Sequence, residues 1–165
     1  MKQIGIILLL FFSTSVNAQF LNQKLLTVNG ISFFSTKEQI IDKFGNPEQT
    51  YEPKYECGFL SSEEQGKKFY SLVYSGIKFT GNEYDNYLIE EIDFTKNGSL
   101  QLNYGEINLN SIPTIEKLAQ VLGLESEIEN PEDKMLRAYF ENSEDAVFFI
   151  FKNGRLIKLD YWSPC

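Results

Sequence analysis

The chain has 165 residues, and 23 acidic against 15 basic side chains leave it at a net charge of −8. That sign, with no run of lysine or arginine, repels phosphate backbones and anionic bilayer surfaces, which argues against nucleic acid as a partner. The absence of any histidine removes the usual catalytic triads, the commonest general base and the commonest metal ligand together.

In chain order, the first element reads as a cleaved secretion signal over residues 1–18. Lys2 supplies the positive start, residues 4–12 are apolar apart from Gly5, and Val16-Asn17-Ala18 ends the stretch with a small residue. The apolar run is far shorter than the roughly 20 residues of a membrane helix. Gln19 stands where a lipoprotein would carry its lipidated cysteine. The expectation is therefore an exported protein, periplasmic or secreted, with no membrane insertion after cleavage. The remainder suffices for one domain or two small ones in close contact.

Beyond the signal the chain repeats itself. Thr36, Glu38, Gly45, Pro53, Glu63 and Gly76 recur as Thr114, Glu116, Gly123, Pro131, Glu141 and Gly154, always 78 positions on. Self-similarity at a fixed interval predicts one supersecondary unit built twice. Each copy opens with a short amphipathic helix. In the first, Ser35-Thr36-Lys37-Glu38 reads as a capping box, Ile40, Ile41 and Phe44 form the apolar stripe, and Gly45-Asn46-Pro47 stops it. In the second, Thr114 is the N-cap, Ile115, Leu118 and Leu122 form the stripe, and Gly123 ends it.

Strands follow each helix. They are predicted over residues 54–60 and 69–74 in the first copy, and 135–140 and 146–151 in the second. Ser75-Gly76 and Asn153-Gly154 are the hairpin dipeptides. Residues 156–162 alternate cleanly, and a further strand over 100–104 follows the Lys96-Asn97-Gly98 turn. The match of Leu88-Ile89 to Leu156-Ile157 falls ten residues short of the interval, so the first copy carries an extra segment over 77–86. Strands such as 70–74 and 148–151 are apolar on both sides, which predicts either burial between the copies or an aromatic surface that meets a partner.

Reactive constellations are scarce. The carboxylate pairs are Glu63-Glu64, Glu90-Glu91 and Glu144-Asp145, and neighbours on a strand point to opposite faces, so Glu90 and Glu91 cannot act together. No catalytic residue, cofactor or metal site is expected. Cys57 and Cys165 could form one bridge in an oxidising compartment, or stand as a buried residue and a terminal thiol. Asn97-Gly98-Ser99 matches a glycosylation acceptor, although a hairpin alone explains the dipeptide.

The segments Thr36-x-Glu38, Phe44-Gly45-Asn46-Pro47, Thr114-x-Glu116 and Leu122-Gly123 carry a resemblance. A helix closed by such a turn, followed by an antiparallel meander and then repeated, resembles the β-lactamase-inhibitor-protein-like fold. It is also similar to the single unit of the SmpA/OmlA group of outer-membrane assembly lipoproteins. The resemblance covers residues 31–162 and implies protein binding through an open sheet face and its loops. The chain departs from both groups, lacking a bridge inside each repeat and a cysteine at the mature start.

The expected fold is α+β: two tandem repeats over residues 19–104 and 105–165, each a helical segment on an antiparallel β-meander, either separate or joined into one sheet. The expected function is an exported, non-enzymatic protein-binding module of inhibitor, immunity or envelope-accessory type. Its partner is another protein, a basic one fitting the charge. The candidate surface comprises Tyr70, Tyr74, Phe79, Glu83, Tyr84, Asp85 and Trp162. The alternatives are a hydrolase working through carboxylates, and a carrier of a small apolar ligand.

Overall fold

The structure is a computed structural model that describes residues 20–54, 66–124 and 134–164. The signal over 1–18, residues 55–60 of the first expected strand, the Glu63-Glu64 pair, Cys57 and Cys165 lie outside the described residues. No helix among the described residues is long and apolar enough to cross a membrane.

The described chain is β-rich, not a pair of α+β repeats. Its strands are β1 (Leu26–Val28), β2 (Ile31–Ser32), β3 (Phe34–Ser35), β4 (Gln49–Tyr51), β5 (Tyr70–Tyr74) and β6 (Ile77–Gly81). They continue as β7 (Tyr87–Asp93), β8 (Leu102–Tyr104), β9 (Ile107–Asn108), β10 (Met135–Tyr139), β11 (Ala146–Lys152) and β12 (Arg155–Trp162). Against these stand two α-helices of eight residues each, α1 (Lys37–Phe44) and α2 (Ile115–Leu122). The large sheet runs β10-β11-β12-β7-β6-β5-β4, with β3 also paired to β7, and the small one runs β2-β1-β8-β9.

The finding that overturns the α+β expectation is the predominance of strands, twelve against two short α-helices among the described residues, and the seam between β7 and β12 shows how the strands are assembled. They pair antiparallel through Asp93 with Lys158, Ile92 with Leu159 and Glu91 with Asp160. Strands from both ends of the chain thus share one sheet, and β8-β9 form a hairpin across the expected boundary at residue 104. The physical reason lies in the helices. Ile40 is the one residue that α1 buries, so it cannot supply a layer of its own. The strands bury their apolar side by extending laterally, and α1, α2 and the small sheet cover it together.

The register makes this concrete. Tyr74, Ile77, Ile92, Leu159, Phe149 and Leu136 lie opposite one another in turn across six strands. All six are buried. Leu72, Phe79 and Ile89 form a second row beside them. Each such side chain contributes roughly 1.5–3 kcal/mol relative to leaving it in water.

Local chemistry sets the turns and helix ends. Asn29-Gly30 and Asn153-Gly154 both have positive φ (48° and 83°, 53° and 71°), the pairing that two-residue hairpins need. The capping box of α1 sits one residue later than expected. Thr36 Oγ1 accepts from the Gln39 amide at 3.3 Å, and Gln39 Oε1 accepts from the Thr36 amide at 2.9 Å. Ser35 is committed elsewhere: it lies in β3 opposite Tyr87, and its hydroxyl donates to the Ser32 carbonyl at 2.9 Å. In α2, Thr114 Oγ1 accepts from the Lys117 amide at 3.2 Å, and Gly123 closes the helix at φ 70°.

Candidate binding surface

The expected site residues do not share one face. Phe79 is fully buried, and Tyr74 is buried with its ring 5.5 Å from Phe44 and 6.0 Å from Phe79. The Tyr74 hydroxyl donates to the Gly45 carbonyl at 3.1 Å, tying the sheet to the end of α1. Both belong to the helix-covered core and neither can meet a partner. The expected insertion accounts for the error. Residues 77–81 of that extra segment form strand β6, flanked by β5 and β7. Its alternation of Ile77 and Phe79 with Lys78 and Thr80 is that of a strand with one apolar face. Tyr70 is half-buried and packs against the same core.

The loop proper is Asn82–Asn86. Asn82 is buried and organises it: its Oδ1 accepts from the amides of Tyr84 and Asp85, both at 2.9 Å. Its Nδ2 donates to Asp85 Oδ2 at 3.0 Å, and Lys67 Nζ reaches the same oxygen at 2.8 Å. The Lys67 hydrogen bond, then the Asn82 one, hold the Asp85 carboxyl below the ordinary aspartate range. Tyr84 is 83 % exposed, and Glu83 lies 3.8 Å from Lys37 on α1. Loop and helix start enclose a concavity of about 870 Å³, lined by Lys37, Glu38, Glu83, Tyr84 and Asp85 among others.

Trp162 lies elsewhere, on the sheet face opposite the core rows, and is 39 % exposed. The register surrounds it with residues that the sequence reading passed over. Arg137 opposes Phe148, which opposes Asp160, while Tyr139 and Trp162 flank Ala146. The Arg137 guanidinium carbon sits 5.1 Å from the Phe148 ring centre and 6.0 Å from that of Tyr139. Phe148 in turn meets Trp162 edge-on at 6.4 Å. Met135, 38 % exposed, continues the patch opposite Ile150. The available signal was period two in Met135-Leu136-Arg137-Ala138-Tyr139, where alternate positions are long and amphipathic.

Beside this patch the same face is ionic, and a bulge at Glu90 turns Glu90 and Glu91 to the same side, where alternation predicted opposite faces. Lys158 Nζ bridges Asp160 at 2.9 Å and Glu91 at 3.1 Å. Lys78 Nζ meets Glu90 at 2.8 Å, the Thr80 hydroxyl donates to the other Glu90 oxygen, and Ser71 and Thr80 share a bond of 2.9 Å. Partial burial pulls the Lys78 ammonium down, but Glu90, with Tyr51 and Glu91, outweighs it and raises its pKa. Burial likewise opposes Asp160 and Glu91 at Lys158, which also ends raised. Here two lysines face three carboxylates, so this part of the face stays acidic by one charge, beside the aromatic Arg137–Phe148–Trp162 patch. No family model, curated protein or solved structure matches this chain.

Proposed function

We propose that this protein is an exported protein-binding module whose docking surface is the open face of β10, β11 and β12. The observation that carries the reading is the Arg137 guanidinium over the Phe148 ring and Phe148 edge-on to Trp162, set beside the Lys158–Asp160–Glu91 cluster. Tryptophan, tyrosine, arginine and methionine are the side chains enriched at the desolvated centre of interfaces. They occur here together, at positions 135, 137 and 139 on β10 and at 162 on β12, either side of β11. A rigid sheet presents them in a fixed arrangement, so little ordering entropy is lost on docking. The paired Lys158, Asp160 and Glu91 supply a polar rim. Export follows from the signal read over residues 1–18.

The test is site-directed cross-linking in the exporting host. A photo-reactive phenylalanine analogue replaces Phe148 in the full chain. The expected result is one discrete adduct with another protein, lost on adding Trp162→Ala or Arg137→Ala while the thermal midpoint stays within a few degrees. No adduct, or one indifferent to both substitutions, overturns the reading.

A further inference from the structure

Leu21 is the first described residue to pair with the large sheet. It forms a parallel bridge to Phe140 at the end of β10. Its amide donates to the Tyr139 carbonyl at 2.7 Å, and its carbonyl accepts from the Glu141 amide at 3.1 Å. Its side chain is buried, whereas that of Phe20, one residue earlier, is exposed. The Asn22 amide donates to the Tyr104 hydroxyl at 3.1 Å, so the anchor continues into the small sheet.

The sequence sets a second boundary just upstream. The signal read over residues 1–18 ends at Ala18, and cleavage there makes Gln19 the first residue of the exported chain. Such a cut spares Leu21 and leaves Gln19 and Phe20 ahead of it. A glutamine in that position carries both halves of a reaction. Its α-amine meets its own side-chain amide carbon by closing a small lactam ring, and an intramolecular attack of this kind has a high effective concentration. The amine has an ordinary pKa of about 7.7–8.0, so near neutral pH part of it is unprotonated and nucleophilic. Its nitrogen forms a bond to Cδ, and the bond from Cδ to the amide nitrogen breaks. That nitrogen leaves as ammonia, taking the proton that the amine gives up. No oxidant, reductant or second substrate enters, and the reacting atoms all belong to residue 19, so the Leu21 bridge is left intact.

We infer that the exported chain begins with a pyroglutamyl ring formed from Gln19, and that this ring protects the anchor at Leu21. The inference rests on the export reading above and goes beyond it by assigning a covalent modification. The ring exchanges an ammonium for a neutral amide, which removes the terminal positive charge as N-terminal acetylation does. It also removes the amine that aminopeptidases require. What it shields is the bracing of β10, the strand that carries Met135, Arg137 and Tyr139, because Leu21 is bonded to the backbone at Tyr139 and Glu141.

The test is mass spectrometry of the full chain expressed in an exporting host. Trypsin should release residues 19–24, ending at Lys24, lighter than the unmodified peptide by one ammonia. Fragmentation should place the deficit on Gln19 and not on Gln23. The intact mass, taken before digestion, should carry the same deficit, which excludes ring closure during handling. Incubation with an aminopeptidase should leave this peptide whole, while Gln19→Ser, whose amine cannot cyclise, should lose one residue or more. A peptide 19–24 that keeps its α-amine after incubation at neutral pH overturns the inference and leaves the export reading standing. Equal trimming of the original chain and Gln19→Ser overturns the protective role. An exported chain that starts at any other residue, or a chain that retains residues 1–18, overturns the cut and the inference together, and cross-linking at position 148 still decides the sheet-face reading on its own.

Discussion

Ile92 on β7 and Leu159 on β12 lie directly opposite each other, and through this pair the apolar row of the large sheet passes from the front of the chain to the rear. Both are fully buried. Leu159→Ala is therefore expected to cost about 2–5 kcal/mol, by lost transfer energy and the cavity left behind. Ile92→Val should cost about 1 kcal/mol. Because the two side chains touch one space, the double variant should depart from additivity by at least about 0.5 kcal/mol. Urea titration of the four proteins checks this, and strict additivity would contradict the shared row.

Gly81 tests the close approach to Tyr87. Its Cβ position lies 2.6 Å from both the Asn86 carbonyl oxygen and Tyr87 Cα. These are backbone atoms at a strand junction and cannot swing aside as a side-chain tip would. Gly81→Ala should destabilise by about 1–3 kcal/mol, read as a fall in the thermal midpoint. A neutral result would mean that β6 and β7 separate more easily than their register implies.

The Tyr87 phenol predicts an alkaline limb of instability. Its ordinary value is 10.0, and in the fold burial, followed by Glu83, raises it to about 12. The folded state then keeps a proton that the unfolded state has lost, so stability is intact below about pH 10 and falls as pH climbs from there through about 12. Tyr87→Phe should flatten that limb. It should also leave stability at neutral pH unchanged or about 1 kcal/mol higher, because a buried hydroxyl with no hydrogen-bond partner among the described residues is removed. Thermal midpoints between pH 8 and 12, with phenolate absorbance, give the comparison; a lower midpoint at neutral pH would show the hydroxyl to be bonded.

Lys78 and Glu90 form a half-buried pair, their side chains 25 % and 16 % exposed. Lys78→Met removes the cation and leaves the carboxylate on the Thr80 hydroxyl, with an expected cost of about 1–3 kcal/mol after allowing for solvent screening. Adding Glu90→Gln should recover part of it, since the half-buried carboxylate that lost its lysine is then neutral. A double variant worse than the single would refute the coupling. The raised Lys78 pKa carries its own sign: that stabilisation holds below about 10.5 and is lost above it.

Much of the local structure was legible. The spans of both helices, the Gly45 and Gly123 stops, the Asn153-Gly154 hairpin and the alternation of residues 156–162 all rest on interactions within a few residues. The one-residue error at the α1 cap arose because Ser35 and Thr36 have the same capping chemistry, and pairing with β7 claims Ser35. The candidate site was less legible. Trp162, Glu83, Tyr84 and Asp85 are accessible, but Tyr74 and Phe79 are core, because an aromatic stripe on a strand reads alike whichever face is covered.

Sequence alone determined where the chain turns, where it coils and which residues alternate, since those preferences are settled by neighbouring dihedrals and hydrogen bonds. Tertiary structure decided which strands lie side by side and which face each strand turns to water. The meeting of β7 with β12, and of β1 with β8, joins segments far apart in the chain. Period two offers two equivalent faces, and the choice between them is made by the elements that come to lie on one of them. That choice buried Phe79 beneath α1 and left Trp162 against Phe148 on the open side of the sheet.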